Sequence, residues 1–99
     1  MFKNGMRPVH PGEILREDYL DELDMSANAL AKALKVPAPR VNDIVRERRG
    51  VSADTALRLA RYFDTTPQFW LNLQTAYDLR LAEAESGKKI TREVMPKAA

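Results

Sequence analysis

Cysteine is absent from this 99-residue chain, and histidine occurs once, as His10. No disulfide framework and no thiolate metal site are available, and one imidazole leaves little for zinc chemistry. No run approaches the roughly 20 consecutive apolar residues that span a bilayer. The opening residues MFKNGMRPVHPGE hold no apolar stretch of signal-peptide type, so an intracellular, cytoplasmic location is expected. Glycine is scarce, at four residues, and there is no glycine-rich phosphate loop and no internal repeat. A nuclease would need a carboxylate cluster for metal or a histidine-based acid–base pair. The acids present are spread around one helix with no second segment to meet them, so neither an enzyme nor a cofactor nor a metal is expected.

What the chain does have is 44% hydrophobic and 30% charged residues, enough for one helical domain with a single core. The net charge of +2 hides a polarised molecule. Between Lys35 and Arg49 the cations Lys35, Arg40, Arg46, Arg48 and Arg49 face only Asp43 and Glu47, a net +3. Between Glu13 and Asp24 the acids Glu13, Glu17, Asp18, Asp21, Glu22 and Asp24 face only Arg16, a net −5. A charge run is often just a solvated face. A basic element on a compact helical motif is also the footprint of phosphate binding.

Residues 26–46, SANALAKALKVPAPRVNDIVR, give that basic element its geometry. Leu30, Ala31 and Leu34 make an apolar stripe on one short helix, and Val41, Ile44 and Val45 repeat it on the next. Only Lys35-Val36-Pro37 lies between them. Antiparallel stacking is impossible over so short a junction, and the helices must cross steeply. That is a helix-turn-helix, whose second helix enters the DNA major groove. The competing reading is an ordinary helical hairpin within a bundle, and the local charge favours the former. Pro37 and Pro39 lie at or before the first turn of the second helix, where a missing N–H costs little.

The rest of the chain organises around this pair. Residues 1–10 read as a flexible arm, residues 11–86 as the binding and dimerisation domain, and residues 87–99 as a mobile tail, although Ile90, Arg92 and Val94 alternate enough for a short strand. A first helix opens at Pro11, places Ile14, Leu15, Tyr19 and Leu23 in the core, and ends near Leu23 or Asp24. Ser26 caps the second helix. The third runs from about Ala38 to Arg46, with Gly50 in the loop after it. Ser52 caps a fourth, whose buried stripe is Ala56, Leu57, Leu59, Ala60 and Phe63. Thr66-Pro67 opens a fifth, and Gly87 is its expected terminator. Adjacent Phe69 and Trp70 point about 100° apart on a helix, so either both are core or one enters the core while the other borders it. The apolar surplus at Trp70, Leu73, Tyr77 and Leu81 is assigned to a dimer interface, since a two-fold DNA site is read by two copies.

On the third helix, Pro39, Arg40, Asn42 and Asp43 are the expected base-facing residues. Arginine can bond guanine bidentately, asparagine adenine, and aspartate can accept from cytosine. Lys35, Arg46, Arg48 and Arg49 are the expected phosphate contacts, which position without specifying.

The strings HPGEIL (10–15), ALAKALKVPAPRVNDIVRERRGVSADTALRLARYFDT (29–65) and TPQFWLNLQTAYDLR (66–80) resemble the HigA-type antitoxins of the Xre, lambda-repressor-like helix-turn-helix class. HPGEIL and FWLNLQ are more specific than the helix-turn-helix itself. The resemblance implies an all-α, five-helix lambda-repressor-like domain and a dimeric repressor of its own operon. It further implies neutralisation of a HigB-type, mRNA-cleaving toxin, with the acidic Glu13, Glu17 and Asp21 as the docking surface. A stand-alone Xre-type regulator without a toxin is the alternative. Two departures stand out. Lys35 occupies a turn position that favours glycine for its positive φ, and residues 37–39 are Pro-Ala-Pro where many relatives carry polar residues.

Overall fold

The computed structural model describes residues 7–98, and every helix but the one that follows Pro37 begins where a side chain can accept from a free backbone N–H. Five helices follow in order: α1 over residues 11–23, α2 Ala27–Leu34, α3 Ala38–Val45, α4 Ala53–Phe63 and α5 Pro67–Glu93, with no strand among the described residues. Ser26 Oγ accepts from the Ala29 N–H at 3.0 Å, Ser52 Oγ from Thr55 at 3.2 Å, and Thr66 Oγ1 from Phe69 at 3.1 Å. These are the caps the sequence announced. At α1 the cap is instead His10, whose Nδ1 accepts from the Gly12 N–H at 2.8 Å. Proline fills the first turn of α1, α3 and α5.

The first four helices end alike. Asp24, Lys35, Glu47 and Asp64 adopt left-handed backbone, with φ of 52°, 63°, 62° and 57°. After each, a tight return bond closes the end: Met25 N–H to Leu20 O (2.9 Å), Val36 to Ala31 (3.0 Å), Arg48 to Asp43 (2.8 Å) and Thr65 to Ala60 (3.0 Å). This pairing satisfies carbonyls the helix cannot. No glycine is spent on any of the four, although the conformation costs an L-residue roughly 1–2 kcal/mol. The expectation of a positive φ at Lys35 is met.

Within α1 the stretch Leu15–Leu20 is wound more widely, and the Asp21 N–H reaches back five residues to Arg16 O. The winding corrects the expected core. An ordinary helix would align Leu15, Tyr19 and Leu23, but five-residue spacing aligns Leu15 with Leu20, both buried. Leu23 is carried into solvent, at 56% exposure, and Tyr19 and Ile14 are half-buried. Leu57, expected in the α4 stripe, is likewise exposed, because Thr55, Ala56, Leu59 and Ala60 form the inward face.

The core joins Leu15 and Leu20 to Leu30, Leu34, Val41, Ile44, Val51, Leu59 and Trp70. Trp70 is fully buried, and its indole N–H donates to Thr65 Oγ1 at 2.9 Å. Tyr19 lies 4.7 Å from Phe63 and 5.1 Å from Trp70 between ring centres, while Phe69 stays at the boundary. The expected dimer role of Trp70 is therefore corrected, since a ring with no exposed surface offers a second chain nothing.

The C-terminal tail and the described part of the N-terminal arm also change. Residues 1–6 of the arm lie outside the described residues. His10 is buried rather than on the surface, packed edge-on against the Tyr77 ring at 4.7 Å, and Arg7 grips Glu13 with two bonds of 2.7 Å. Gly87 does not terminate α5. The helix passes through it to Glu93, and neither a stop at residue 86 nor a strand over 90–94 forms. A helical glycine costs only about 1 kcal/mol, and the surrounding Ala, Glu and Lys residues favour helix. The stop comes with extended Val94, just before Pro96. The projecting helix makes the molecule 52 Å long against 28 and 22 Å across.

Gly12 is required where α1 meets α3, because a Cβ there would stand 1.8 Å from the Ile44 carbonyl oxygen. Gly12→Ala is expected to lower unfolding free energy by about 1–3 kcal/mol, the range of an overpacked core, as read by urea denaturation. Burial pushes the His10 imidazole below its ordinary value, and Nδ1 accepts from Gly12 only while unprotonated. The unfolded chain then binds more protons than the folded one below pH about 6.5. Stability should be complete above that pH and fall as pH drops through it toward the lower folded value. Urea midpoints compared at pH about 7.5 and 5.5 read the effect, and His10→Asn should flatten it.

Candidate nucleic-acid interface

Val41 and Ile44 root α3 in the core, and its carbonyl end is held from α1. The first turn of α1 abuts the Ile44 carbonyl through Gly12, the Arg16 guanidinium donates to Val45 O, and Arg16 also pairs with Glu47 at 3.6 Å. α2 is held in the same way from α4, where Arg58 Nη1 donates to Leu34 O at 2.8 Å. A cation at a helix C-terminus meets both the unpaired carbonyls and the negative end of the dipole. The loop after α3 is pinned from α5: Gln74 Oε1 accepts from the Val51 N–H at 2.7 Å, and the same amide lies over Gly50, 2.8 Å from where a Cβ would stand. Together these contacts fix α2 and α3 as a rigid crossed pair.

The other side of α3 is open. Pro39 and Arg46 are exposed and Asp43 is half-exposed, along its outward line. Asn42 and Arg40 flank that line on opposite sides. Asn42 turns toward α2, its Nδ2 donating to Asn28 Oδ1 at 2.8 Å and to Ala38 O at 3.0 Å. Arg40 turns toward α4, with Nη1 donating to Asp54 Oδ2 at 2.8 Å. Asp43 pairs with Arg49 at 3.5 Å. Lys35, Arg46, Arg48 and Arg49, at and beyond the ends of α3, are all exposed. The residues expected to contact bases thus lie on or beside the open line of α3, the expected phosphate contacts are exposed at and beyond its ends, and two of the cations are partly neutralised by carboxylates.

Asp54 accepts from Arg58 Nε as well as from Arg40, each at 2.8 Å. Its carboxyl is held below the usual range, by the Arg58 bond first and the Arg40 bond after it. The acids of α1 are less unified. Glu13 is committed to Arg7, which holds its carboxyl low and leaves the side chain 16% exposed. Glu17 and Asp21 are exposed. On α5, Leu73, Tyr77 and Leu81 are half-buried, Leu73 against the core and Tyr77 against His10. Among the described residues no group of three or more His, Asp or Glu side chains is placed to hold a metal ion.

Sequence reasoning missed Arg16, Asn28, Asp54, Arg58 and Gln74. The i,i+4 spacing of Asp54 and Arg58 was a legible signal. The other three act between elements distant in sequence, and no local pattern marks them.

Residues 15–70 match the helix-turn-helix family HTH_3. Virulence-associated protein I of Dichelobacter nodosus is 63% identical over 83 residues, covering 84% of this chain and 77% of that protein. The solved structure of Pseudomonas aeruginosa antitoxin HigA with the higBA promoter superposes with a TM-score of 0.91 at 62% identity, covering 93% of this chain and all, 100%, of that one. Antitoxin GraA in complex with its operator superposes with a TM-score of 0.90 at 61% identity, covering 100% of both chains.

Proposed function

This chain belongs to the HTH_3 helix-turn-helix family and to the HigA antitoxins within it, and from that premise we propose a dimeric, sequence-specific repressor of its own operon that also neutralises a HigB-type, mRNA-cleaving toxin. One observation carries the DNA half. α3 is rooted in the core by Val41 and Ile44 while Pro39, Arg40, Asn42 and Asp43 lie along its open side and four further exposed cations stand at and beyond its ends. The family is one of DNA-binding regulators and antitoxins, and the relatives bound to promoter or operator DNA support the same role here. Arg40, Asn42 and Asp43 read base edges beside Pro39, and Lys35, Arg46, Arg48 and Arg49 hold phosphates.

Two copies are needed for a two-fold site. α5 supplies the contact through Leu73, Tyr77 and Leu81, without Trp70. The exposed Leu79 and Ile90 on its projecting length add apolar surface. The toxin half rests on family membership, with α1 as the docking element: Glu17 and Asp21 lie open to a basic partner, and Glu13 stands behind Arg7. Complementary fields speed such encounters. No helix among the described residues is long and apolar enough to cross a membrane, and a cytoplasmic location belongs to the same proposal.

The test combines co-purification with the product of the neighbouring reading frame and titration on the promoter. A 1:1 or 2:2 complex with a small basic protein is expected. A chain that bound the promoter and captured no neighbour would be the stand-alone regulator. Light scattering at micromolar concentration should return a dimer, weakened by Leu81→Asp. Promoter affinity should fall steeply between roughly 50 and 200 mM salt as counterions are released. Arg40→Ala should cost about 1–3 kcal/mol on the cognate site and relax discrimination at one base pair. Arg49→Ala should weaken all sequences alike and lower the salt slope by about one unit. Uniform loss in Arg40→Ala would move that residue to the phosphates.

A further inference from the structure

Arg40 is not a free cation, and what holds it is part of the helix framework. Asp54 stands in the first turn of α4, two residues after the capping Ser52. One oxygen, Oδ2, accepts from Arg40 Nη1 and from Arg58 Nε, each at 2.8 Å. Arg58 is itself anchored, its Nη1 donating to Leu34 O at 2.8 Å. A continuous chain of hydrogen bonds therefore runs from the carbonyl end of α2, through Arg58 and Asp54, to the guanidinium on α3.

We propose that Asp54 is a specificity-determining positioning residue, which orients Arg40 for base readout and restrains it from indiscriminate phosphate binding; this rests on the reading of α3 as the element that enters the DNA groove. The geometry supports both parts. A guanine contact needs two parallel N–H donors at a fixed angle. The bond to Asp54 occupies Nη1 and leaves Nε and Nη2, the adjacent pair on the other edge. A long arginine stem loses much rotamer freedom when it binds, and a preset guanidinium has less to lose. A phosphate, by contrast, accepts a cation from many directions and rewards charge alone. The carboxylate beside Arg40 cancels part of that charge, so the sequence-independent attraction is the larger loser.

A purely structural Asp54 would behave otherwise. As a complement to the α4 dipole and an i,i+4 partner of Arg58, its loss would lower stability and weaken binding to every duplex equally. The two roles separate in a double-mutant cycle. Wild type, Asp54→Asn, Arg40→Ala and the double variant are titrated by fluorescence anisotropy. The duplexes are the promoter operator, its single-base substitutions and a scrambled sequence, at several salt concentrations. Thermal melts by circular dichroism report folding.

Asp54→Asn is expected to reduce discrimination at the base pair read by Arg40 by about fivefold or more, the lower end of one bidentate contact. Affinity for scrambled DNA should rise, and its salt slope should steepen by about 0.9, one phosphate contact. In the Arg40→Ala background the same change should leave discrimination untouched. Full discrimination in Asp54→Asn would overturn the inference, as would equal loss in both backgrounds or uniform weakening on all duplexes. If Asp54→Asn does not fold, Asp54→Glu keeps the charge and shifts the carboxylate by one methylene, and the same cycle is read with it. A wild-type chain that showed no operator preference would overturn the DNA reading and this inference with it. An operator preference retained intact in the variant overturns this inference alone.

Discussion

The first turn of α1 lies against the last carbonyls of α3, and the orientation of α3 depends on that contact. Gly12 permits an approach that any side chain would block at the Ile44 carbonyl, and Arg16 then closes the same helix end at Val45. His10 and Pro11 serve the contact from behind: the buried imidazole caps the turn and the proline fixes its entry. Tyr77 of α5 seats the imidazole in turn. Five residues from two parts of the chain thereby act on one helix end. Without that contact, α3 would keep Val41 and Ile44 in the core and the side-chain bonds of Arg40 and Asn42, but its carbonyl end would be unheld from α1.

Arginine does two different jobs in this molecule, and the partner it meets decides which. Arg16 and Arg58 spend their donors on carbonyls of neighbouring helices and belong to the framework. Arg46, Arg48 and Arg49 stand in solvent around α3. Arg40, half-buried like Arg16 and Arg58, lies between the two classes by its partner, a carboxylate whose other bond is to a framework arginine. Surface ion pairs contribute little to stability on their own. Their value here is positional, since a fixed guanidinium presents a defined edge where a mobile one presents an average.

Much of the architecture was legible in the chain. Ser26, Ser52 and Thr66 marked helix starts because a short oxygen-bearing side chain can reach the free N–H groups of the next turn. The apolar stripes of α2 and α3 marked the crossed pair, and the brevity of Lys35-Val36-Pro37 marked the crossing. The positive φ expected at Lys35 is present, at 63°. Elsewhere local rules misled. Gly87 looked like a stop, yet glycine permits a left-handed end without compelling one. Leu23 looked buried because an ordinary period was applied to a helix wound over five residues. His10 looked peripheral because nothing local reveals that Tyr77 covers it.

The sequence by itself determined where helices begin, which faces of α2, α3 and most of α4 turn inward, and that cations crowd one short segment. These follow from interactions within a turn or two, where neighbours in sequence are neighbours in space. Only the tertiary structure decided which way each functional side chain is held. Trp70 went to the core rather than to a partner because Tyr19, Phe63 and Thr65 converge on it. Arg40 and Asn42, two residues apart, went to opposite flanks because Asp54 and Asn28 wait there, each 14 residues distant along the chain. Partners that far apart meet only after the core has closed, and no local pattern records them.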